Sequence, residues 1–264
     1  MDLIERRYAR MLDYKTVCEP VLSVYIISRG RTPGVLIGDE FVRAFDDLGT
    51  SGALRVSPAA IEGRAMLAIN ARVFRIRPDL VVLHAGAVAI ADRAAVIVGP
   101  TTSGKSTTTL SLVLRNEEHY PLSDEFALVS TSSGEVEAFP RLFSIRTGTR
   151  RLLALNGLDA DWDAVDPAHT FDRRWASSAQ RASFFFIVGR GKRAQARSLP
   201  LSEAIFLAVG SEVQSTIDKN HLRIVDRVIG ALSKSRLYAL SLGTPEETAD
   251  LVQRLTVDTQ SAVA

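Results

Sequence analysis

The hydrophobic positions in the first third of the chain come in short runs. Val21–Ile27 and Val35–Ile37 are rich in β-branched residues and are separated by a turn that contains glycine and proline, which predicts two strands. The alternating Val73–Arg77 predicts a third strand, and a helical patch is predicted near residues 40–48. We therefore predict a small β-rich N-terminal subdomain over residues 1–78.

The hydrophobic pattern changes from residue 80 onward. Leu80–Leu83 and Ala94–Val98 are continuous apolar runs, which are typical of strands buried on both faces of a sheet. The other predicted elements are a helix at Ser106–Leu114, a hairpin over 126–139, strands at Ser183–Val188 and Leu237–Leu242, and helices at Leu201–Val209, Asn220–Ser233 and Pro245–Leu255. Strands that alternate with helices predict an α/β domain over residues 79–264.

One segment between a predicted strand and a predicted helix carries a phosphate-binding motif. Gly99–Ser106 has the sequence GPTTSGKS, which fits G-x-x-x-x-G-K-[ST]. Glycines let successive backbone N–H groups point at phosphate oxygens, while Lys105 would neutralise the β- and γ-phosphates and Ser106 would bind Mg²⁺. The predicted nucleotide-binding residues of this segment are Gly99, Thr102, Ser103, Gly104, Lys105, Ser106 and Thr107.

Candidate catalytic groups flank this motif on both sides. His84 follows a buried strand upstream, and Asp124 and Glu125 come 18 and 19 residues after Ser106. This short interval leaves room for one helix and one return strand, so we expect the acids to end the strand beside the loop. The alternatives are a hydrogen-bonded core histidine for His84 and a turn acid or helix cap for Asp124.

These segments together resemble one enzyme family. His84-Ala85-Gly86, the Gly99–Ser106 segment and Ser123-Asp124-Glu125 are similar in order and spacing to the catalytic module of the HPr kinase/phosphorylase superfamily, especially its HPr-kinase-related branch. Phe139–Arg146 is similar to a Pro-Arg segment of that branch. The resemblance covers residues 80–150 well and the C-terminal third loosely.

The resemblance implies both a fold and a reaction. The fold is a P-loop kinase core of the HPr kinase and phosphoenolpyruvate carboxykinase type, and the reaction transfers a phosphoryl group from ATP to a serine hydroxyl. Asp124 would accept the hydroxyl proton, Asp124 or Glu125 would hold Mg²⁺ with Ser106, and His84 would lie near the transferred group. Arg141 or Arg146 would contact phosphate, and both could instead be solvated surface residues.

The chain departs from the HPr kinases themselves at two points. Glu125 stands where they have aspartate, and their later glutamate-arginine-glycine signature, which belongs to phosphorolysis, has no counterpart here. Related kinases assemble, so the resemblance also implies a homo-oligomer.

Composition excludes several classes of protein. The 32 basic and 30 acidic residues give a net charge of +2, which does not favour a protein that binds nucleic acid through its overall charge. Cys18 is the single cysteine and allows no internal disulfide or cysteine metal cage. Met1–Arg7 lacks the apolar core of a signal peptide, and Leu80–Ala91 is too short to span a membrane. We expect a soluble, cytoplasmic protein.

Two further patterns resemble known binding motifs but are incomplete. Asp159, Asp161 and Asp163 resemble the start of a calcium loop, but Ala164 replaces its glycine and Thr170 its final glutamate. Residues 189–194 match a dinucleotide fingerprint without the helix that should follow, so we expect a hairpin turn.

The stretch from Arg173 to Arg197 holds seven basic residues and no acid. It also contains Phe184-Phe185-Phe186, which is typical of a buried strand, and no nucleic-acid-binding motif accompanies it. We expect a solvated face, or a patch that attracts an acidic substrate or ATP phosphates.

Three functions fit these observations. The first is an Mg-ATP-dependent kinase acting on a serine-type hydroxyl of a peptide, a protein or a small molecule, with residues 1–78 as a candidate substrate-recognition unit. The second is a nucleotide hydrolase that drives a conformational switch. The third is a non-catalytic ATP sensor, which the intact lysine, serine and acidic pair disfavour.

Overall fold

A computed structural model of the chain describes residues 24–27, 34–37, 40–43, 70, 77–155, 164–165, 167–211 and 221–258. Contacts between residues divide it into two compact units, Met1–Pro78 and Asp79–Ala264. None of the helices in these ranges is long and apolar enough to cross a membrane.

The first unit contains a three-stranded antiparallel sheet. Its strands are β1 (Val24–Ile27), β2 (Gly34–Ile37) and β3 (Glu40–Arg43), in that order. The helix predicted near residues 40–48 is therefore wrong for residues 40–43, which pair with β2 from Ile37 opposite Glu40 onward. The residues between the two strands, Gly38-Asp39, are a sequence typical of a two-residue hairpin. The predicted strand at Val73–Arg77 lies outside the described residues except for Arg77.

Nine of the described strands of the second unit form one mixed sheet. In chain order, the strands of this unit are β4 (Leu80–Leu83), β5 (Ala85–Ile90), β6 (Arg93–Val98), β7 (His119–Ser123), β8 (Ala127–Ser130), β9 (Val136–Glu137), β10 (Phe143–Ser144), β11 (Ala164–Val165), β12 (Ser178–Arg190), β13 (Gln195–Ser198) and β14 (Arg236–Leu242). The sheet order is β4-β8-β9-β12-β6-β5-β7, with β14 on β12 and β13 on β14, while β10 and β11 form a separate pair.

Helices cover both faces of this sheet. The helices are α1 (Lys105–Arg115), α2 (Thr147–Leu152), α3 (Pro167–Thr170), α4 (Leu201–Val209), α5 (His221–Leu232) and α6 (Pro245–Val257). Along β6, Val96 packs in a hydrophobic cluster with α4 and α5, whereas Ile97 packs in a second cluster with α1 and α6. Both side chains are fully buried, as the continuous apolar run predicts. The predicted mixed α/β architecture is confirmed.

The carboxyl ends of several strands meet at one edge of the sheet. Strand β5 lies between β6 and β7 and is antiparallel to both, so β6 and β7 run in the same direction. Strand β12 is parallel to β6, and β14 is parallel to β12. Ligands of open α/β sheets bind outside such carboxyl ends, so we expect a ligand site at this edge of the sheet.

The hairpin turn expected at residues 189–194 is not a hairpin. These residues connect β12 to β13, but β14 lies between the two strands and pairs with both. Gly191 donates a backbone hydrogen bond to Leu242 at the end of β14, with an N···O distance of 2.8 Å. The local turn signal predicts only that the chain reverses. It does not predict that β14, which comes much later in the chain, occupies the space between the two strands.

Candidate functional site

The Gly99–Ser106 loop leads from β6 directly into α1. Gly104, the last residue before the helix, has φ of +115°, a conformation that side chains rarely adopt. A Cβ atom at this position would lie 2.9 Å from Cδ1 of Leu242 and 3.2 Å from a guanidinium nitrogen of Arg190. Glycine is therefore required here both by the backbone conformation and by the close approach of β14.

Lys105 is buried at the start of α1, and its ammonium group bonds back to the beginning of its own loop. Its Nζ atom donates hydrogen bonds to the carbonyl oxygens of Gly99 and Pro100 at 2.8 and 3.0 Å. Burial lowers the pKa of Lys105, and nearby Arg146 lowers it further, while Asp124 and Glu125 raise it. The opposing charges show that the ammonium group shares its surroundings with both acids.

The first turn of α1 packs closely on strand β5. A Cβ atom added to Gly86 would lie only 2.0 Å from Oγ1 of Thr109, and this hydroxyl donates to the carbonyl of Lys105 at 2.9 Å. The glycine thus lets the helix approach the sheet, which fixes the position of the lysine over the strand ends.

The two predicted acids follow the end of β7 at Ser123. The Ser123 hydroxyl accepts a hydrogen bond from the backbone N–H of Phe126 at 3.0 Å and so turns the chain after the strand. Asp124 is buried and Glu125 is half-buried. The acids do end a return strand, but β5 separates that strand from β6, so the expectation of a strand directly beside the loop is wrong.

His84 lies at the bend between β4 and β5. Its backbone N–H donates to the carbonyl of Ser211 at 2.7 Å. Burial lowers the pKa of its imidazole below the ordinary 6.5, the charge of Lys105 lowers it further, and Glu125 opposes the shift. An imidazole with a lowered pKa is mostly neutral at pH 7, so one ring nitrogen can donate a hydrogen bond and the other can accept one.

Arg141 pairs with Glu125 and does not line the cleft. Its Nη1 atom donates to Oε2 of Glu125, and its guanidinium stacks over the ring of Phe126 at 5.5 Å from the centroid. The Arg141 side chain is only 9% exposed. In this structure the guanidinium pairs with one of the two acids, whereas the sequence predicts that Arg141 or Arg146 contacts phosphate or that both are solvated.

These groups surround a cleft of about 390 Å³ at the carboxyl edge of the sheet. It is lined by His84, Thr101, Thr102, Gly104, Lys105, Ser106, Thr107, Asp124, Glu125, Arg146, Gly148, Thr149, Leu152 and Arg190. Of the predicted site residues, Gly99, Ser103 and Arg141 are not part of this lining. The other predicted residues share the cleft, although they come from four separate segments of the chain.

Two polar side chains of the cleft that lie outside the Gly99–Ser106 loop were missed from the sequence. Arg190, at the end of β12, donates from Nη2 to the carbonyl of Ser103 at 3.3 Å. The Thr149 hydroxyl of α2 lies 2.8 Å from the Thr107 hydroxyl of α1. The signal for Arg190 was its position at the carboxyl end of a predicted buried strand, which is the edge where ligands bind.

The basic stretch from Arg173 to Arg197 is dispersed. Arg173 donates to the carbonyl of Val113, Arg174 stacks over Tyr120, and Arg197 pairs with Glu203. The three phenylalanines within the stretch are buried, as predicted. The aspartates of the discounted calcium pattern lie outside the described residues. Within the described ranges, no three or more His, Cys, Asp or Glu side chains cluster so that they could hold a metal ion.

Comparison with known proteins finds one distant structural relative of interest. No family model matches the chain, and no curated protein sequence matches it. The solved structures that match include the HPr(Ser) kinase/phosphatase from Coxiella burnetii, at 13% sequence identity and a TM-score of 0.35, over 66% of this chain and 92% of that chain. A match at this level carries no argument about activity, so membership of that superfamily stays a prediction.

Proposed function

We propose that the chain is an Mg-ATP-dependent kinase that transfers the γ-phosphoryl group to a serine-type hydroxyl of a peptide, a protein or a small molecule. The observation that supports this proposal is the cleft, where Lys105, Ser106 and Asp124 meet at the carboxyl edge of the sheet. A phosphate-binding motif that opened onto no acid would lack a group to accept the hydroxyl proton.

Lys105 would bind the phosphate chain by exchanging partners. In the structure its ammonium group is satisfied by two carbonyl oxygens of its own loop. Phosphate oxygens entering the cleft would compete for the same donors and form the stronger, charge-assisted bonds. The backbone N–H groups at the start of α1 and the positive end of its dipole would add to this binding.

The oxygen atoms of the cleft fit a magnesium ion. Ser106, Asp124 and Glu125 supply a hydroxyl and two carboxylates, which are the hard ligands that Mg²⁺ prefers, with waters and substrate phosphates completing its shell. Ser106 and Glu125 are the residues that would hold the ion, which leaves Asp124 to accept a proton. When bound, Mg²⁺ would neutralise charge on the β- and γ-phosphates.

Asp124 is better suited than Glu125 to accept the hydroxyl proton. The carboxylate of Glu125 already accepts a hydrogen bond from Arg141, so one of its two oxygens is occupied. During transfer the acceptor oxygen would bond to the γ-phosphorus, the bond to the β–γ bridging oxygen would break, and ADP would leave with that electron pair. Asp124 would take the acceptor proton, and the neutral imidazole of His84 lines the same cleft.

Labelled ATP distinguishes this proposal from its alternatives. The full chain would be incubated with magnesium and ATP carrying a labelled γ-phosphate, in the presence of serine-containing peptides, proteins and hydroxyl-bearing small molecules. A kinase yields a labelled acceptor, a hydrolase yields only free phosphate, and a sensor yields neither. Free phosphate alone, with every acceptor class tested, would contradict the proposed transfer.

A further inference from the structure

A second cavity of about 310 Å³ adjoins the cleft. The two share Gly104, Thr107, Leu152 and Arg190 as lining residues. The second cavity lies among the start of α1, the end of β14 and the start of α6. Its volume falls at the lower end of the roughly 300–1,000 Å³ typical of small-molecule sites.

The residues that line only one of the two cavities distinguish the two ends of the combined space. Asp124 and Glu125 line only the first cleft, whereas Lys192 and Thr248 line only the second cavity. A phosphate chain held at the shared residues, around Thr107, would point one end at the acids and the other end into the second cavity. In a nucleoside triphosphate, the transferable phosphoryl group and the nucleoside stand at these two opposite ends.

The second cavity offers both hydroxyl donors and apolar surface. The Thr248 hydroxyl accepts from the backbone N–H of Gly243 at 3.1 Å, and the Thr244 hydroxyl accepts from that of Glu247 at 3.2 Å. A hydroxyl that accepts one hydrogen bond can still donate its own hydrogen, here to an acceptor such as a sugar oxygen or a ring nitrogen. Leu242 and Pro245 add aliphatic surface for a flat base.

We propose that the second cavity binds the nucleoside part of a nucleoside triphosphate whose phosphates occupy the Gly99–Ser106 loop. This inference rests on the proposed function, because it needs the loop to bind the phosphates. Thr248 and Lys192 are the side chains assigned to the nucleoside end, and neither takes part in the chemistry of the first cleft.

Photo-crosslinking locates the nucleoside directly. The full chain would be irradiated with 8-azido-ATP and magnesium, digested, and mapped by mass spectrometry. We expect attachment within residues 191–192 or 243–248, abolished by an excess of ATP. Attachment that ATP abolishes at the cleft residues around His84 or Asp124 would overturn the inference.

A bulky substitution tests the same cavity by affinity. Pro245→Trp places an indole at the wall of the cavity, and Glu246→Trp places the same group on the exposed neighbour that does not line it. We expect Pro245→Trp to weaken ATP binding at least tenfold while leaving the affinity for inorganic triphosphate within twofold. Glu246→Trp should change neither affinity, and thermal unfolding would verify that both variants fold.

Titrations of the wild-type chain distinguish failure of the nucleoside site from failure of the proposed kinase function. If ATP and inorganic triphosphate bind with equal affinity, or if Pro245→Trp binds ATP as tightly as wild type, the nucleoside site is wrong and the phosphate loop survives. If neither ligand binds to the wild-type chain, the proposed kinase function fails as well.

Discussion

At the scale of the residue, the surroundings of Lys105 position its ammonium group to bind an anion. Its neighbours combine two carbonyl acceptors, two acids and one further cation in a partly desolvated cleft. Electrostatic interactions are stronger in such surroundings than in water. The loop sequence could predict this lysine, because the motif fixes its spacing from both glycines.

Removing this charge should abolish binding of ATP. We expect Lys105→Ala to lower the affinity for Mg-ATP at least 100-fold, by analogy with the roughly 10²–10³-fold cost of losing one fixed donor to a developing charge. Isothermal titration calorimetry measures the affinity. Lys234→Ala, at an exposed lysine outside the cleft, is the matched control. Equal ATP affinity in the two variants would show that the loop lysine does not bind ATP.

The pair formed by Arg141 and Glu125 should contribute to stability. Arg141→Met leaves Glu125 without its cation, but Glu125 is 38% exposed, so water offsets part of the loss. We expect the free energy of unfolding to fall by about 1–3 kcal/mol. Urea denaturation measures it, and the double variant Arg141→Met/Glu125→Gln should recover part of the loss. A double variant no more stable than the single one would indicate that packing, not the charge pair, sets the effect.

The contacts of other site residues could not be predicted from local sequence, although the position of Arg190 after a predicted buried strand was a signal for the cleft. Arg190 reaches the cleft because β12 extends beyond the end of β6, and Thr149 reaches it because α2 packs on α1. Arg141 matched a family segment, yet its burial beside Phe126 directs it to Glu125. These placements depend on tertiary packing, which short motifs do not record.

At the scale of elements, the approach of α1 to β5 depends on one glycine. Gly86→Ala would place a methyl group only 2.0 Å from Oγ1 of Thr109, so the helix must shift or the side chain must move. We expect a loss of about 1–3 kcal/mol in unfolding free energy, as for other overpacked cores. Denaturant titration measures it.

A second substitution distinguishes overpacking from other causes. Gly86→Ala/Thr109→Ala removes the hydroxyl that the new methyl group would meet. The double variant should be more stable than the sum of the two single effects predicts, because the residues are in contact. Strict additivity would show that the close approach is not the source of the loss.

The elements most accurately predicted are those with strong periodicity. Helix α4 begins and ends at the predicted residues, Leu201 and Val209, and α6 begins at the predicted Pro245. Strand β3 was mistaken for helix because four residues are too few to distinguish the two periodicities. The pairing of β14 between β12 and β13 joins residues far apart in sequence and leaves no local signal.

At the scale of the whole molecule, buried histidines should make stability depend on pH. His119 is buried and its Nδ1 donates to the carbonyl of Leu112 at 2.7 Å. Burial lowers its pKa below the ordinary 6.5, the nearby Arg173 lowers it further, and the Leu112 hydrogen bond opposes the shift. The folded state therefore binds its proton less readily than the unfolded state, and stability present above pH 6.5 is lost as the pH falls through the folded pKa.

Denaturation at a series of pH values measures this effect. The unfolding free energy should decrease between pH 7 and 5, with at most about 1.4 kcal/mol per pH unit from each histidine. His119→Gln should reduce the slope, and His84, whose pKa is also lowered, should account for part of the remainder. An unchanged slope in His119→Gln would contradict the assignment.

The central claim, that the cleft performs phosphoryl transfer, is tested most directly at Asp124. Asp124→Asn keeps the size of the side chain but cannot accept the hydroxyl proton, and such groups contribute about 10²–10⁴-fold to rates. The measurement pairs phosphorylation of an acceptor, followed by mass spectrometry, with ATP titrations at several magnesium concentrations. The account predicts a rate lower by that factor while ATP still binds. Transfer at the wild-type rate by Asp124→Asn would contradict it.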